Sequence, residues 1–211
     1  MKFYDCATAP SPRLVRMFIA EKGLTDAIET VEVNLREEEQ LGDAFRAINP
    51  FCTVPVLEAD DGTRFLTTQG CWRYLEEVHP DPALLGRDAR ERALVADWAW
   101  RAEQDGFFAV GEALRNTAKG LKDRALPGPH NHAQIPELGE RGKRRVGQFF
   151  ELLDATLADR DHLAGDGFSA ADIMAFVAVD FAGWLKLTLP EEATHARAWF
   201  ERVKARPSAA V

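Results

Sequence analysis

The hydrophobic pattern of this chain changes once, near residue 80, and that single change limits it to a two-part fold. Ahead of it, short strand-like runs alternate with amphipathic stretches; beyond it, every apolar run has helical spacing. Residues 2–6 read as a first strand. Ser11-Pro12 then predicts a helix start, with serine as N-cap and proline at the first helical position. Leu14, Val15, Phe18 and Ile19 continue that helix, and Lys22-Gly23 is a stop signal. Residues 28–35 (IETVEVNL) alternate as a second strand, and Leu41, Phe45 and Ile48 mark a second helix.

The run NPFCTVPVLEADDGTRFL holds a hairpin. Val54, Val56 and Leu57 form one strand, Asp61-Gly62 the turn, and residues 63–66 the partner. Pro55 lies inside the first of these strands, where proline cannot donate to the ladder, so it sits at an edge or in a special conformation. After Thr67-Thr68 a helix runs to about His79. The order is β-α-β-α-β-β-α, a small α/β unit over residues 1–79. HPDPALLGRD (residues 80–89) reads as a linker, and residues 90–211 as an all-helical domain. There, FSAADIMAFVAVDFAGWLKL is apolar on nearly every side, the pattern of a central buried helix, and Ser169 with Asp172 has the spacing of a capping box at its start.

Composition narrows the function. The 211 residues carry a formal net charge of -8, which argues against nucleic acid or an anionic membrane surface as a partner. Small anions remain compatible, because a helix N-terminus or an arginine can outweigh the global charge locally. Cys6, Cys52 and Cys71 are widely spaced and odd in number, so they form neither a disulfide framework nor a metal-type motif; a reducing cytoplasm is the expected setting, with no metal. The N-terminal MKFYDCATAPSPR does not read as a secretory signal, and the apolar run 173–185 is short for a membrane span and contains Asp180.

Four motifs in order, INPFCTVPVLEADDG, YLEE, HLAGDGFSAADI and WFERVKARPS, resemble the cytosolic glutathione S-transferase superfamily along essentially the whole chain. The resemblance implies a thioredoxin-like α/β N-terminal domain that holds glutathione, followed by an all-α bundle that helps form an apolar cleft. It further implies a detoxifying transferase or peroxidase, usually a homodimer, acting on a small hydrophobic electrophile. It also implies that Val54-Pro55 is a cis bond, with the Val54 N–H and C=O pairing the cysteinyl part of glutathione like one rung of a sheet. A ligand-binding protein without turnover and a glutathione-dependent isomerase or dehalogenase share the same fold.

Such a transferase must present a thiolate. A free thiol with a pKa of about 8.5 is only a few per cent ionised near neutrality. Lowering that value by two units takes roughly 2.7 kcal/mol, the size of a hydroxyl donor and a helix N-terminus acting together. Ser11 offers both. Counting back from Gly23, the bacterial cysteine-using pattern puts the reactive position on Ser11, and the serine-using pattern puts it on Ala9, which has no hydroxyl. Thr8 and Cys6 are the alternatives, Cys6 also reading as a buried end-of-strand residue. Arg13 follows in the same turn, either facing the anionic end of a ligand or solvated. Aligned on Tyr74-Leu75, Thr67 stands where the family has an acid for the γ-glutamyl ammonium. Thr68 stands where it has a serine, which with the helix N-terminus holds the carboxylate.

Other features read as structure. His130-Asn131-His132 is loop, and Lys143-Arg144-Arg145 a solvated helix face. Trp98 and Trp100 cannot share one helix face. Phe107, Phe108 and Trp184 read as core, and the segment 119–136 is long for a connection inside a bundle.

Overall fold

Side-chain alternation along β1 (Lys2–Asp5) gives its sheet two buried faces. The structure is a computed structural model and describes all residues 1–211. β1 pairs in parallel with β2 (Glu29–Glu32) and antiparallel with β3 (Val56–Glu58), and β3 pairs antiparallel with β4 (Arg64–Phe65), giving the order β2-β1-β3-β4. Phe3 lies opposite Leu57, so both occupy one face, and Tyr4 lies opposite Val56 on the other. Pro55 sits immediately before β3 and not within it, so no ladder bond is lost to it.

Helices α1 (Pro10–Glu21) and α3 (Thr68–Val78) pack on each other. Phe18 and Trp72 stack at 5.6 Å, and the Trp72 indole N–H donates to the Leu14 carbonyl at 3.2 Å. Lys22, read from sequence as a stop signal, is buried. Its ammonium pairs with Glu76 at 2.6 Å and donates to the carbonyls of His79 and Pro82, which ties together the C-terminal ends of α1 and α3. The second helix is reduced to α2 (Asp43–Arg46), preceded by two 3-10 turns.

By compactness the chain divides into Met1–Pro82 with Leu126–Asn131 and Val211, and a second unit of Ala83–Ala125 and His132–Ala210. The long segment after residue 118 therefore contributes to both units. The second unit is helical: α4 (Ala89–Arg101), α5 (Phe108–Thr117), α6 (Pro136–Thr156), α7 (Ala170–Ala182) and α8 (Thr194–Lys204). Every residue of α7 except Asp180 is buried. Asp172, fully buried at its start, accepts from the Leu163 and Ser169 N–H groups, the Ser169 hydroxyl and the Trp199 indole. A charge in the core is tolerated there because four donors surround it. α5 and α6 approach closely because Gly142 has no side chain: a Cβ there would lie 2.6 Å from the Ala113 nitrogen. No helix is long and apolar enough to cross a membrane.

Candidate functional site

Three segments that carry the candidate residues meet on the Tyr4/Val56 side of the sheet. Tyr4, Cys6, Val33, Phe45, Val54 and Val56 form a buried cluster, with Ala9 and Leu66 packed against it. Ala9 begins α1, Val54 precedes Pro55, and Leu66 precedes Thr67. One apolar cluster thus holds together the start of α1, the loop into β3 and the start of α3.

The start of α1 differs from expectation. The N-cap is Ala9, not Ser11, and Pro10 takes the first helical position. Both prolines are accommodated because the first N–H groups of a helix have no intrahelical acceptor, so a proline at the first or third position forfeits nothing. Ser11 becomes the second helical residue, half-buried, and its hydroxyl does not cap the helix. Arg13, also half-buried, follows at the fourth position. Thr8 is exposed, its hydroxyl 3.6 Å from the Cys6 sulfur.

The Val54-Pro55 bond is cis. The Val54 N–H and C=O enter no backbone hydrogen bond, because β3 pairing begins only at Val56. The loop ahead of them is fastened by Asn49, fully buried, whose amide donates to the Thr53 carbonyl at 2.7 Å and accepts from the Phe51 N–H at 2.9 Å. Cys52 within it adopts a left-handed conformation with φ 54, more usual for glycine.

Thr67 is the N-cap of α3, its hydroxyl oxygen accepting from the Gly70 N–H at 3.0 Å. Thr68 is the first helical residue and is buried. The Thr68 and Gln69 N–H groups have no acceptor within the helix, and its positive end favours an anion there. The first turn carries no acidic residue. In the 3-10 turn Glu39–Leu41, the buried side-chain oxygen of Gln40 has no partner. Sequence reading passed over Gln40 because its polar surroundings gave no signal.

None of the cysteines is a ready nucleophile. All three are free and buried, and burial pushes the Cys71 thiol up to about 12. No group of three or more His, Cys, Asp or Glu side chains is arranged to hold a metal ion.

The second unit holds a feature that sequence reading assigned to the core. Between α4 and α5 the chain makes a π-helical turn, Ala102–Phe107, a geometry frequent at functional sites. Within it, Gly106 lets the Phe149 ring pack close, since a Cβ there would meet that ring at 2.6 Å. Phe107 lies 6.1 Å from Phe108 and 5.6 Å from Phe181, and Phe181 lies 5.0 Å from Trp184. Phe108 is 50% and Trp184 56% exposed, so these two are not core residues. Trp184 escapes burial because it falls past the end of α7, in the 3-10 turn Gly183–Leu185. The array presents an aromatic surface of a kind that suits a flat apolar ligand.

Residues 9–78 match the family model described as "Glutathione S-transferase, N-terminal domain", and residues 124–207 the one described as "Glutathione S-transferase, C-terminal domain". "Glutathione S-transferase 2" of Saccharomyces cerevisiae is 33% identical over 209 residues, covering 99% of this chain and 87% of the relative. Among solved structures, a glutathione S-transferase domain-containing protein from Marinobacter aquaeolei aligns with a TM-score of 0.91 and 38% identity over 99% of both chains. Gtt2 from Saccharomyces cerevisiae aligns with a TM-score of 0.91 and 32% identity, over 100% of this chain and 99% of the other.

Proposed function

The chain belongs to the glutathione S-transferase superfamily and is a glutathione-dependent transferase, and from that premise we propose how its own residues carry the activity. The Ser11 hydroxyl donates to the sulfur of glutathione, and the N-terminus of α1 stabilises the thiolate. Because Ser11 does not cap its helix, that hydroxyl is available to the sulfur. The Val54 N–H and C=O, preceding Pro55, pair with the cysteinyl backbone. Thr68 and the free N–H groups of α3 hold the γ-glutamyl carboxylate, and Arg13 supports the anionic end of the ligand. Thr67 serves as cap and offers the ammonium no charge. The aromatic surface of Phe107, Phe108, Phe181 and Trp184 receives the hydrophobic electrophile.

In this reading residues 1–79 are the glutathione-holding domain, 80–89 the linker and 90–211 the helical domain. The protein works in the cytoplasm as a homodimer and detoxifies electrophiles or reduces hydroperoxides. The observation that supports the reading is the single apolar cluster joining Ala9, Val54 and Leu66, which holds the start of α1, the residue before Pro55 and the residue before Thr67 on one side of the sheet.

The test is consumption of glutathione thiol with a reactive aryl halide and with cumene hydroperoxide. Saturable, protein-dependent consumption with either supports the reading. Retention on immobilised glutathione without turnover of either would favour a ligand-binding role.

A further inference from the structure

The turn at residues 6–9, which leads into α1, is held by charged side chains more firmly than a four-residue connection requires. Its Ala9 N–H returns to the Cys6 carbonyl at 2.9 Å. The Ala7 peptide N–H donates to both carboxylate oxygens of Glu32, at 3.1 and 3.3 Å. On its other side, Arg16 donates to the Ala7 carbonyl at 3.1 Å, to the Cys6 carbonyl at 3.2 Å and to the Asp5 carboxylate at 2.6 Å. Asp5 is 3% exposed, and its burial raises its pKa even against the Arg16 charge. One peptide unit is thus gripped from the end of β2 and from the second turn of α1, and the N-cap of α1 lies two residues further on.

We infer that Arg16 and Glu32 are positioning residues of the transferase site, fixing the turn so that Ser11 and the N-terminus of α1 meet the reacting sulfur. The inference rests on the site proposed above. Charge alone does not explain Glu32: a carboxylate close to a thiolate opposes its formation, and Glu32 already adds to the upward shift of Asp5. What Glu32 supplies is its hold on the Ala7 N–H. Arg16 supplies a fork that reaches three acceptors at once, which a lysine ammonium on a flexible stem does not reproduce.

Two variants of the exposed Glu32 separate position from charge. Glu32→Ala removes the acceptor; Glu32→Gln keeps a carbonyl oxygen there and removes the charge. The bound thiol is titrated by its ultraviolet thiolate absorbance and by the pH profile of kcat/KM, beside urea unfolding of each variant. Glu32→Ala is expected to lower kcat/KM about tenfold and to raise the bound thiol pKa by about one unit, the tenfold equivalent. Glu32→Gln is expected to return both to within about twofold of wild type, since it keeps an acceptor and removes an opposing charge. Arg16→Lys is expected to move in the direction of Glu32→Ala. A merely stabilising role would shift the urea midpoint and leave the thiol pKa in place, and that result would overturn the inference. So would a Glu32→Gln variant as impaired as Glu32→Ala. If glutathione does not bind at all, the proposed site falls and takes the inference with it; if it binds and titrates identically in wild type and Glu32→Ala, only the inference falls.

Discussion

The Thr67 hydroxyl oxygen accepts the Gly70 N–H at 3.0 Å, so the residue beside the proposed carboxylate site acts as a helix cap and carries no charge. A thiol peptide with an α-ammonium gains no ion pair from the first turn of α3. Glutathione and its analogue lacking the amino group should therefore bind with dissociation constants within about threefold of each other by calorimetry, a gap under 1 kcal/mol. Aspartate also caps helices well. Thr67→Asp should keep the helix and add the missing charge, tightening glutathione about tenfold, the low end of a charge-assisted bond, while leaving the analogue unimproved.

Burial at Cys6, Cys52 and Cys71 leads to a second outcome. Cys71, with its thiol pushed up to about 12, is essentially never a thiolate near neutrality. Treatment of the native protein with iodoacetamide should leave turnover intact, and mass spectrometry should find the three thiols unmodified until urea is added. Loss of activity on modifying Cys6 alone would assign the chemistry to that sulfur and remove Ser11 from it.

The exposed ends of the aromatic array give a third. Phe108 and Trp184 belong to the second unit, and every residue assigned to glutathione belongs to the first. Replacing both with alanine should raise KM for an aromatic electrophile about tenfold, from roughly 1–1.5 kcal/mol of lost aromatic contact. The dissociation constant for glutathione should stay unchanged. Steady-state kinetics with each substrate varied in turn, together with calorimetry, separates the two effects.

Local signals in the sequence were reliable where one short motif had one physical meaning. Ser169 and Asp172 announced the start of the buried helix, and the paired threonines announced α3, because a cap and its helix are neighbours in sequence. The start of α1 was misread because Pro10 and Pro12 are both admissible in a first turn; only the backbone showed that Ala9 is the cap. The π-helical turn at Ala102–Phe107 has no counterpart in hydrophobic periodicity, and the close packing of Gly106 on Phe149 within it joins residues far apart along the chain. Trp184 looked like core because it ends an apolar run, yet the chain leaves the helix two residues before it. The grip of Arg16 and Glu32 on Ala7 was invisible for the same reason: hydrogen bonds to backbone across 9 and 25 residues leave no pattern in sequence.

The central claim is that a hydroxyl on the second residue of α1 helps to make the thiolate, and the pH dependence of kcat/KM tests it most directly. With glutathione saturating and kcat/KM taken for the electrophile, wild type should show an acid limb set by the bound thiol. In Ser11→Ala that limb should move up by about one unit, equivalent to about 1.4 kcal/mol of lost thiolate stabilisation, with kcat/KM at neutral pH falling accordingly. A Ser11→Ala protein with the wild-type limb and the wild-type rate would contradict the account.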